Sequence, residues 1–267
     1  MKFLCLPGAY GSAKNFKVQL GPLADELQAR GVATFEYSQG SHEVEPPEGW
    51  EDYFGTRPLY RFLDTRRGDT FESLRRLRHM PYSVNAEDAM RMFQDCGEGD
   101  DWHQQVWREA LDDVQKTIDE HPDVEALIGY SEGAMVGASF IVDEATKAQK
   151  TGREPRIKFA IFISGSPPLK LEGDNRVVAQ LADEAGTVID IPTFHIFGCD
   201  DAFLGGAVAL YNNVRMLADI LAKLIPDVEA RYKEKKEKAD EEPKFYYPGR
   251  RDTVTWAKPG KIVLEKE

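Results

Sequence analysis

Residues 124–135, VEALIGYSEGAM, constrain this chain more than any other stretch. The apolar run 124–128 reads as a short buried strand, and a helical pattern follows over 132–148. Between them stand Gly129, Tyr130, Ser131, Glu132 and Gly133, a Gly-x-Ser-x-Gly pentapeptide. A bare match of this kind is also what a chance glycine turn looks like. With a strand before it and a helix after it, the pattern predicts a nucleophile elbow, a turn so tight that small residues must flank it. Ser131 then projects its hydroxyl from the top of a sheet, and the backbone N–H of Glu132 points at an oxygen that becomes negative during attack.

The rest of the chain supplies a sheet to carry that turn. Residues 2–6 read as a first strand, opening into the loop Pro7-Gly8-Ala9-Tyr10-Gly11-Ser12. Phe16, Leu20, Leu23 and Leu27 recur at helical spacing over 13–29, Gly31 stops that helix, and 33–37 is a second strand. Helices are expected over 70–78, 86–96, 102–120, 175–182 and 206–224, and strands over 157–163, 192–197 and 244–247. The weak alternation of 253–266 suggests an edge hairpin. Strands separated by helices predict an α/β chain with a doubly wound, mostly parallel sheet. No internal repeat or boundary divides it, so 1–267 reads as one domain, and 267 residues suffice for a full core.

Two segments break the rhythm. Residues 39–82 begin with a Pro-, Gly- and aromatic-rich stretch carrying Trp50, Tyr53, Phe54, Tyr60 and Phe62, without lasting period. A long aromatic loop in a compact fold is expected to be a cap-like insertion or wall over a cleft. Residues 226–242 carry a mixed-charge run that reads as a solvated surface segment.

A net charge of −12 and a pI near 5.0 argue against nucleic acid and anionic membranes as partners. No 18-residue apolar run is present, and the opening MKFLCLPGAYG is too short an apolar stretch for a signal peptide. Cys5, Cys96 and Cys199 are odd in number and widely spaced, which suggests neither a disulfide framework nor a zinc site. The expectation is a cytoplasmic protein that uses no metal and no cofactor.

A serine hydroxyl needs a base to take its proton. In an elbow of this type the acid and the histidine follow the serine in chain order. Asp200 and Asp201, just beyond the strand over 192–197, compete for the acid position. Either could instead cap the following helix. For the base there is a gap: His42, His79, His103, His121 and His195 all precede Asp201. His121 falls before the elbow strand, at the wrong end of a sheet, and His195 lies within a strand, where packing is the expected role. His42 and His79 are the ones that could reach the cleft.

These residues carry a family resemblance. Cys5-Leu6-Pro7-Gly8 with Ser12, Phe16 and Gln19 resembles the opening block of the fungal serine hydrolase (FSH) family, which is related to the ovarian-cancer-associated hydrolases. Gly40, His42-Glu43-Val44, Pro46-Pro47, Gly55 and Tyr60-Arg61-Phe62 resemble its aromatic loop segment. Gly129 to Ala134 resembles its Gly-Phe-Ser-Gln-Gly-Ala elbow, and Pro192 to His195 with Gly198 to Asp201 its acid block. The likeness, running from about Lys2 to Arg251, implies an α/β-hydrolase fold and a Ser-Asp-His triad. It selects Ser131 and Asp201 as catalytic residues. The oxyanion donors are then the N–H groups of Glu132 and of Ala9 or Tyr10, with Tyr130, His42, Phe203 and Arg251 as candidate substrate contacts. It further implies an ester or thioester of a small acyl or polyketide-like compound, within fungal secondary metabolism, and admits an acyl carrier protein as partner.

Two positions depart from the family pattern. Pro7 replaces a histidine beside the second oxyanion donor, whose backbone N–H is unaffected. Arg251 falls where the family's last histidine belongs, and a guanidinium with a pKa above 12 accepts no proton near neutrality. Loss of the triad base typically removes ~10⁶ of rate and leaves ~10³–10⁴ over water. Three readings follow: an esterase or thioesterase; a hydrolase fold that cyclises, dehydrates or isomerises its ligand, with Arg251 holding a carboxylate or enolate; and a binding protein with a retired site.

Overall fold

The computed structural model describes residues 1–46, 48, 50, 53–63, 85–95, 104–171, 177–198, 201, 204–214, 244–245, 253–256 and 262–265. Strand β1 (Lys2–Leu6) leads through the Gly8 loop into helices α1 (Ala13–Gln19) and α2 (Gly21–Ala29), then β2 (Thr34–Tyr37). Strands β3 (His42–Val44) and β4 (Leu59–Arg61) follow, and then helices α3 (Ala86–Asp95) and α4 (Gln104–Glu120). Strand β5 (Val124–Tyr130) enters helix α5 (Glu132–Thr151). Next come β6 (Phe159–Ile163), β7 (Leu169–Leu171), β8 (Val177–Ala179), α6 (Ala182–Ala185), β9 (Thr193–Ile196) and α7 (Leu204–Asn212). The last described elements are β10 (Lys244–Phe245), β11 (Thr253–Trp256) and β12 (Ile262–Glu265).

Among the described residues the main sheet has five strands, in the order β2-β1-β5-β6-β9, all pairing in parallel. Alternate residues of β1 feed two cores, as a strand's two-residue period requires. Leu4 and Leu6 join the cluster under α4 and α5 with Leu127, Val114 and Phe140, while Phe3 and Cys5 face Phe16, Leu20 and Ile128. Both faces are therefore covered, the arrangement expected of a parallel sheet. Burial drives the Cys5 thiol pKa far up, so this cysteine stays a neutral packing residue. The fold is that of an α/β hydrolase, as the sequence predicts.

Five expectations change in detail, the first being the helix foreseen over 206–224: α7 ends at Asn212, and Val214 forms a parallel bridge with Ile189. The helix foreseen over 13–29 is two helices, because Pro22 stands at the start of α2, where its missing N–H is harmless, and could not have continued α1. The aperiodic stretch after 39 contains the antiparallel pair β3–β4, with His42 opposite Arg61; strands of three residues are too short to display a period. In the span read as a helix over 175–182, the β-branched Val177 and Val178 instead lie in β8, paired with β7, and the tertiary partner overrides the local spacing. The segment 244–247, expected as the last core strand, contributes β10, which pairs antiparallel with β11 in a separate three-stranded sheet. The hairpin expected over 253–266 is present as β11–β12. The helix expected over 70–78 and the charged segment 226–242 lie outside the described residues.

Candidate active site

Because the five strands run in parallel, their C-terminal ends collect the loops that carry the candidate chemistry, as open α/β sheets do. Ser131 follows β5, the Gly8 loop follows β1, Ser164 follows β6, and Asp201 follows β9. His121 is at the opposite edge, with Nδ1 3.5 Å from the Lys2 ammonium at the start of β1.

Ser131 adopts φ 52° and ψ −116°, a backbone conformation that L-residues rarely take. Its N–H donates to the Ile163 carbonyl at the end of β6 (2.9 Å), and its carbonyl accepts from the N–H groups of Ala134 (3.0 Å) and Met135 (3.2 Å), which locks the bend between β5 and α5. The two flanking glycines are required sterically. A Cβ on Gly129 would stand 2.5 Å from Ala134 Cα, and one on Gly133 would stand 2.3 Å from the carbonyl oxygens of Leu6 and Pro7. The helix head is thus pressed against the end of β1. Gly8 closes the other side: its Cβ, if present, would lie 3.1 Å from Ser131 Cβ. The Gly11 N–H donates to the Gly8 carbonyl (3.0 Å), so that turn bond leaves the Ala9 and Tyr10 N–H groups outside it, and Tyr10 has φ 59°. Glu132 N–H at the head of α5 and the Ala9–Tyr10 peptides therefore flank the serine from two sides.

The Glu132 side chain has a second role that sequence reasoning missed. Its carboxylate turns inward, 5% exposed, and accepts from Arg61 Nε (3.0 Å) and Nη2 (2.8 Å) and from the backbone N–H groups of Phe62 (2.7 Å) and Leu63 (3.4 Å). Burial works against the Arg61 charge, but the Glu132 charge and hydrogen bonds to Glu132 and Tyr10 outweigh it and hold the guanidinium pKa above its ordinary value. The same guanidinium lies over the Tyr10 ring, 5.6 Å from its centre. Glu132 and Arg61 thereby tie the end of β4 to both oxyanion candidates. The clue was an acidic residue in the elbow together with an arginine in the aromatic segment. Gly40 is a further requirement, since a Cβ there would meet the Arg61 carbonyl at 1.9 Å.

Asp201 sits in the turn after β9, its N–H donating to the Gly198 carbonyl (3.1 Å) and its carbonyl accepting from Leu204 N–H (3.1 Å). Its side chain bears on Tyr130: burial first, then the charges of Tyr53 and Asp201, raise the Tyr130 phenol above its usual pKa. Tyr130 stacks on Phe16 with ring centres 6.3 Å apart. His42, on β3, has Nε2 3.9 Å from Glu109 Oε2 on α4. His195 is packed between Phe162 and Tyr211, each 5.4 Å away, and burial pushes its pKa down to about 4. Asp200, Phe203 and Arg251 lie outside the described residues.

A family model described as "Serine hydrolase (FSH1)" matches residues 1–222. The chain belongs to this serine hydrolase family. The match takes in Gly8, Arg61, Ser131 and Asp201 and ends before the segment that holds Arg251. Among curated relatives, "Hydrolase phiM" of Fungal sp. is 26% identical over 203 residues, 75% of this chain and 73% of the relative. The protein of the same name from Talaromyces stipitatus is 24% identical over 227 residues, 84% and 77% of the two chains. "Esterase FPY3" of Fusarium mangiferae is 26% identical over 204 residues, 75% of each. The family and these relatives make this chain a hydrolase. Among the described residues no helix is long and apolar enough to cross a membrane.

Proposed function

We propose that this hydrolase is an esterase or thioesterase of a small acyl or polyketide-like compound, with Ser131 as nucleophile and Asp201 as the acid member. The observation that carries this reading is the strained Ser131 backbone at the head of α5, wedged against Gly8. A serine held that way presents its hydroxyl beside two sets of backbone donors. Ser131 Oγ bonds to the acyl carbon while its proton passes to a base. The former carbonyl oxygen takes the negative charge and is held by Glu132 N–H with Ala9 or Tyr10 N–H. The bond to the leaving alcohol or thiol then breaks, the leaving group takes the proton, and water releases the acid from the serine. An acyl carrier protein is one chemically suitable thioester donor, and fungal secondary metabolism is the setting in which such acyl compounds arise.

The base is the open position. His42 faces α4, His121 occupies the far edge of the sheet, and His195 is held neutral under the site. His79 and His103 are the remaining histidines of the sequence. An alkyl fluorophosphonate is expected to label Ser131 in the wild type and not in Ser131→Ala. No labelling of wild type at high probe concentration removes the hydrolase reading. Where a histidine serves, His79→Ala or His103→Ala lowers kcat/KM by about 10³ or more, whereas His121→Ala leaves it within a few-fold.

One observation favours a second reading, non-hydrolytic chemistry in the same cleft: no histidine follows Asp201 in the sequence. Arg251 then anchors a carboxylate or enolate by charge-assisted hydrogen bonds. On that reading Ser131→Ala keeps most turnover and Arg251→Ala loses it; the reverse pattern rules it out.

A further inference from the structure

Beside Ser131 the surface carries a group of rings that core packing does not require. Tyr53 is 70% exposed, Tyr130 38% and Trp50 36%. Trp50 and Tyr53 meet edge to face at 5.0 Å, and Tyr53 and Phe54 do so at 5.1 Å. Phe54 continues the series to Tyr10 at 4.9 Å. The series therefore begins on the Tyr10 loop on one side of the serine, and the ring of Tyr130, the residue before the serine, borders the same loop, where a Cβ on Gly8 would lie 3.0 Å from it. Clustered exposed apolar surface of this kind marks binding sites more often than chance packing does.

The loop that carries these rings is fixed without them. Asn15 on α1 donates to the carbonyls of Phe54 (3.1 Å) and Thr56 (2.9 Å), and the Thr56 hydroxyl donates back to Asn15 Oδ1 (2.9 Å). Gly55, with φ 88°, lets the turn close against Asn15. Removing exposed ring surface therefore leaves the anchor intact, and the anchor holds the rings ready for a guest, which lowers the ordering cost of binding.

We propose that Trp50, Tyr53, Phe54, Tyr10 and Tyr130 form a subsite for a flat, uncharged aromatic ring of the substrate. The inference rests on the reading of Ser131 as acyl acceptor, because it places that ring one subsite from the scissile carbonyl. Perpendicular neighbours present alternating edges and faces, and an aromatic guest extends such an array by offset stacking or edge-to-face contact. A cage for an organic cation needs several ring faces converging on one point. Here Tyr53 meets Trp50 and Phe54 edge to face (83° and 86°), so in each pair an edge, not a second face, is turned to the neighbouring ring. The nearby Arg61 guanidinium is already neutralised by Glu132 and offers no site for an anionic ring substituent.

The test uses calorimetric binding of two non-hydrolysable amides to the full chain: N-methyl-2-naphthamide and its fully saturated decahydro counterpart. The aromatic amide is expected to bind about tenfold more tightly, the worth of one or two aromatic contacts. Trp50→Ala/Tyr53→Ala is expected to abolish that preference. Both side chains are largely outside the core, and an unchanged melting temperature verifies the fold. Should the double variant unfold, Tyr53→Ala alone reads the same preference, reduced severalfold. Equal binding of the two amides, a preference that survives in the variant, or tetramethylammonium displacing the naphthamide overturns the proposal. Because no turnover is involved, aromatic preference in a protein that fails phosphonate labelling leaves the subsite standing and the hydrolase reading lost. Labelling without aromatic preference does the opposite.

Discussion

At the elbow, Gly129 and Gly133 are fixed by backbone pressed on backbone, whereas the loop facing it is fixed by polar side chains, Glu132 with Arg61 and Asn15 with the turn at Gly55. Both hold residues around Ser131. Close steric contact leaves one solution and fails abruptly when an atom is added. Polar ties fail by degrees, according to how many partners a substitution strands. The serine's angle is thus set by shape, and the companion wall by charge and hydrogen bonding.

The largest expected effect comes from adding one methyl on the steric side. Gly133→Ala drives a Cβ into two main-chain oxygens that no rotamer change can relieve, and a loss of about 4 kcal/mol or more, or failure to fold, is expected in chemical denaturation. Near-wild-type stability would show that α5 can move off β1 and that shape does not set the angle. On the polar side, Glu132→Ala removes the counter-charge of the buried Arg61 guanidinium and the acceptor of two N–H groups, with an expected loss of about 3–4 kcal/mol. Glu132→Gln keeps one acceptor oxygen, for either the Phe62 N–H or Arg61, and turns an NH2 donor toward the other, and is expected to lose about 2 kcal/mol. The gap between these two variants measures how far the clamp depends on charge; equal losses would mean that the carboxylate acts only as a filler.

A smaller effect comes from pH. The folded structure keeps His195 neutral down to about pH 4, while an unfolded histidine titrates near 6.5. The stabilising contribution is therefore complete above about pH 6.5 and is lost as pH falls toward 4, where the folded ring takes its proton. The total is roughly 3 kcal/mol. His195→Phe is expected to flatten that part of the stability–pH curve. An unchanged slope would move the acid sensitivity to the polar loop.

The steric side was also the legible side. Apolar runs, glycine spacing and helical period at 124–148 identify β5, the bend and α5 from sequence, because close packing restricts residue type position by position. The parallel sheet followed from strands alternating with helices. The polar wall was not legible in the same way. Nothing in the spacing of Glu132 and Arg61, 71 residues apart, announces that they meet. Short strands such as β3, β4, β7 and β8 carry too few residues to display a period and exist through their partners. The grouping of Ser131, Glu132, Ala9 and Tyr10 came from the family resemblance and not from any spacing, and the β1–β5 pairing is the physical reason that their loops share one edge of the sheet. Pro22 was a breaker visible in the sequence, yet four well-spaced apolar residues outweighed it in the reading of 13–29.

The backbone at Ser131 has a consequence for the protein as a whole. A residue with a side chain held at φ 52° and ψ −116° typically carries 1–3 kcal/mol of unfavourable energy that glycine would not. A Ser131→Gly chain should therefore outlast its parent on heating by the equivalent of about 1 kcal/mol. An idle form of this molecule would be sturdier than one equipped to react, so durability and reactivity pull in opposite directions at a single residue.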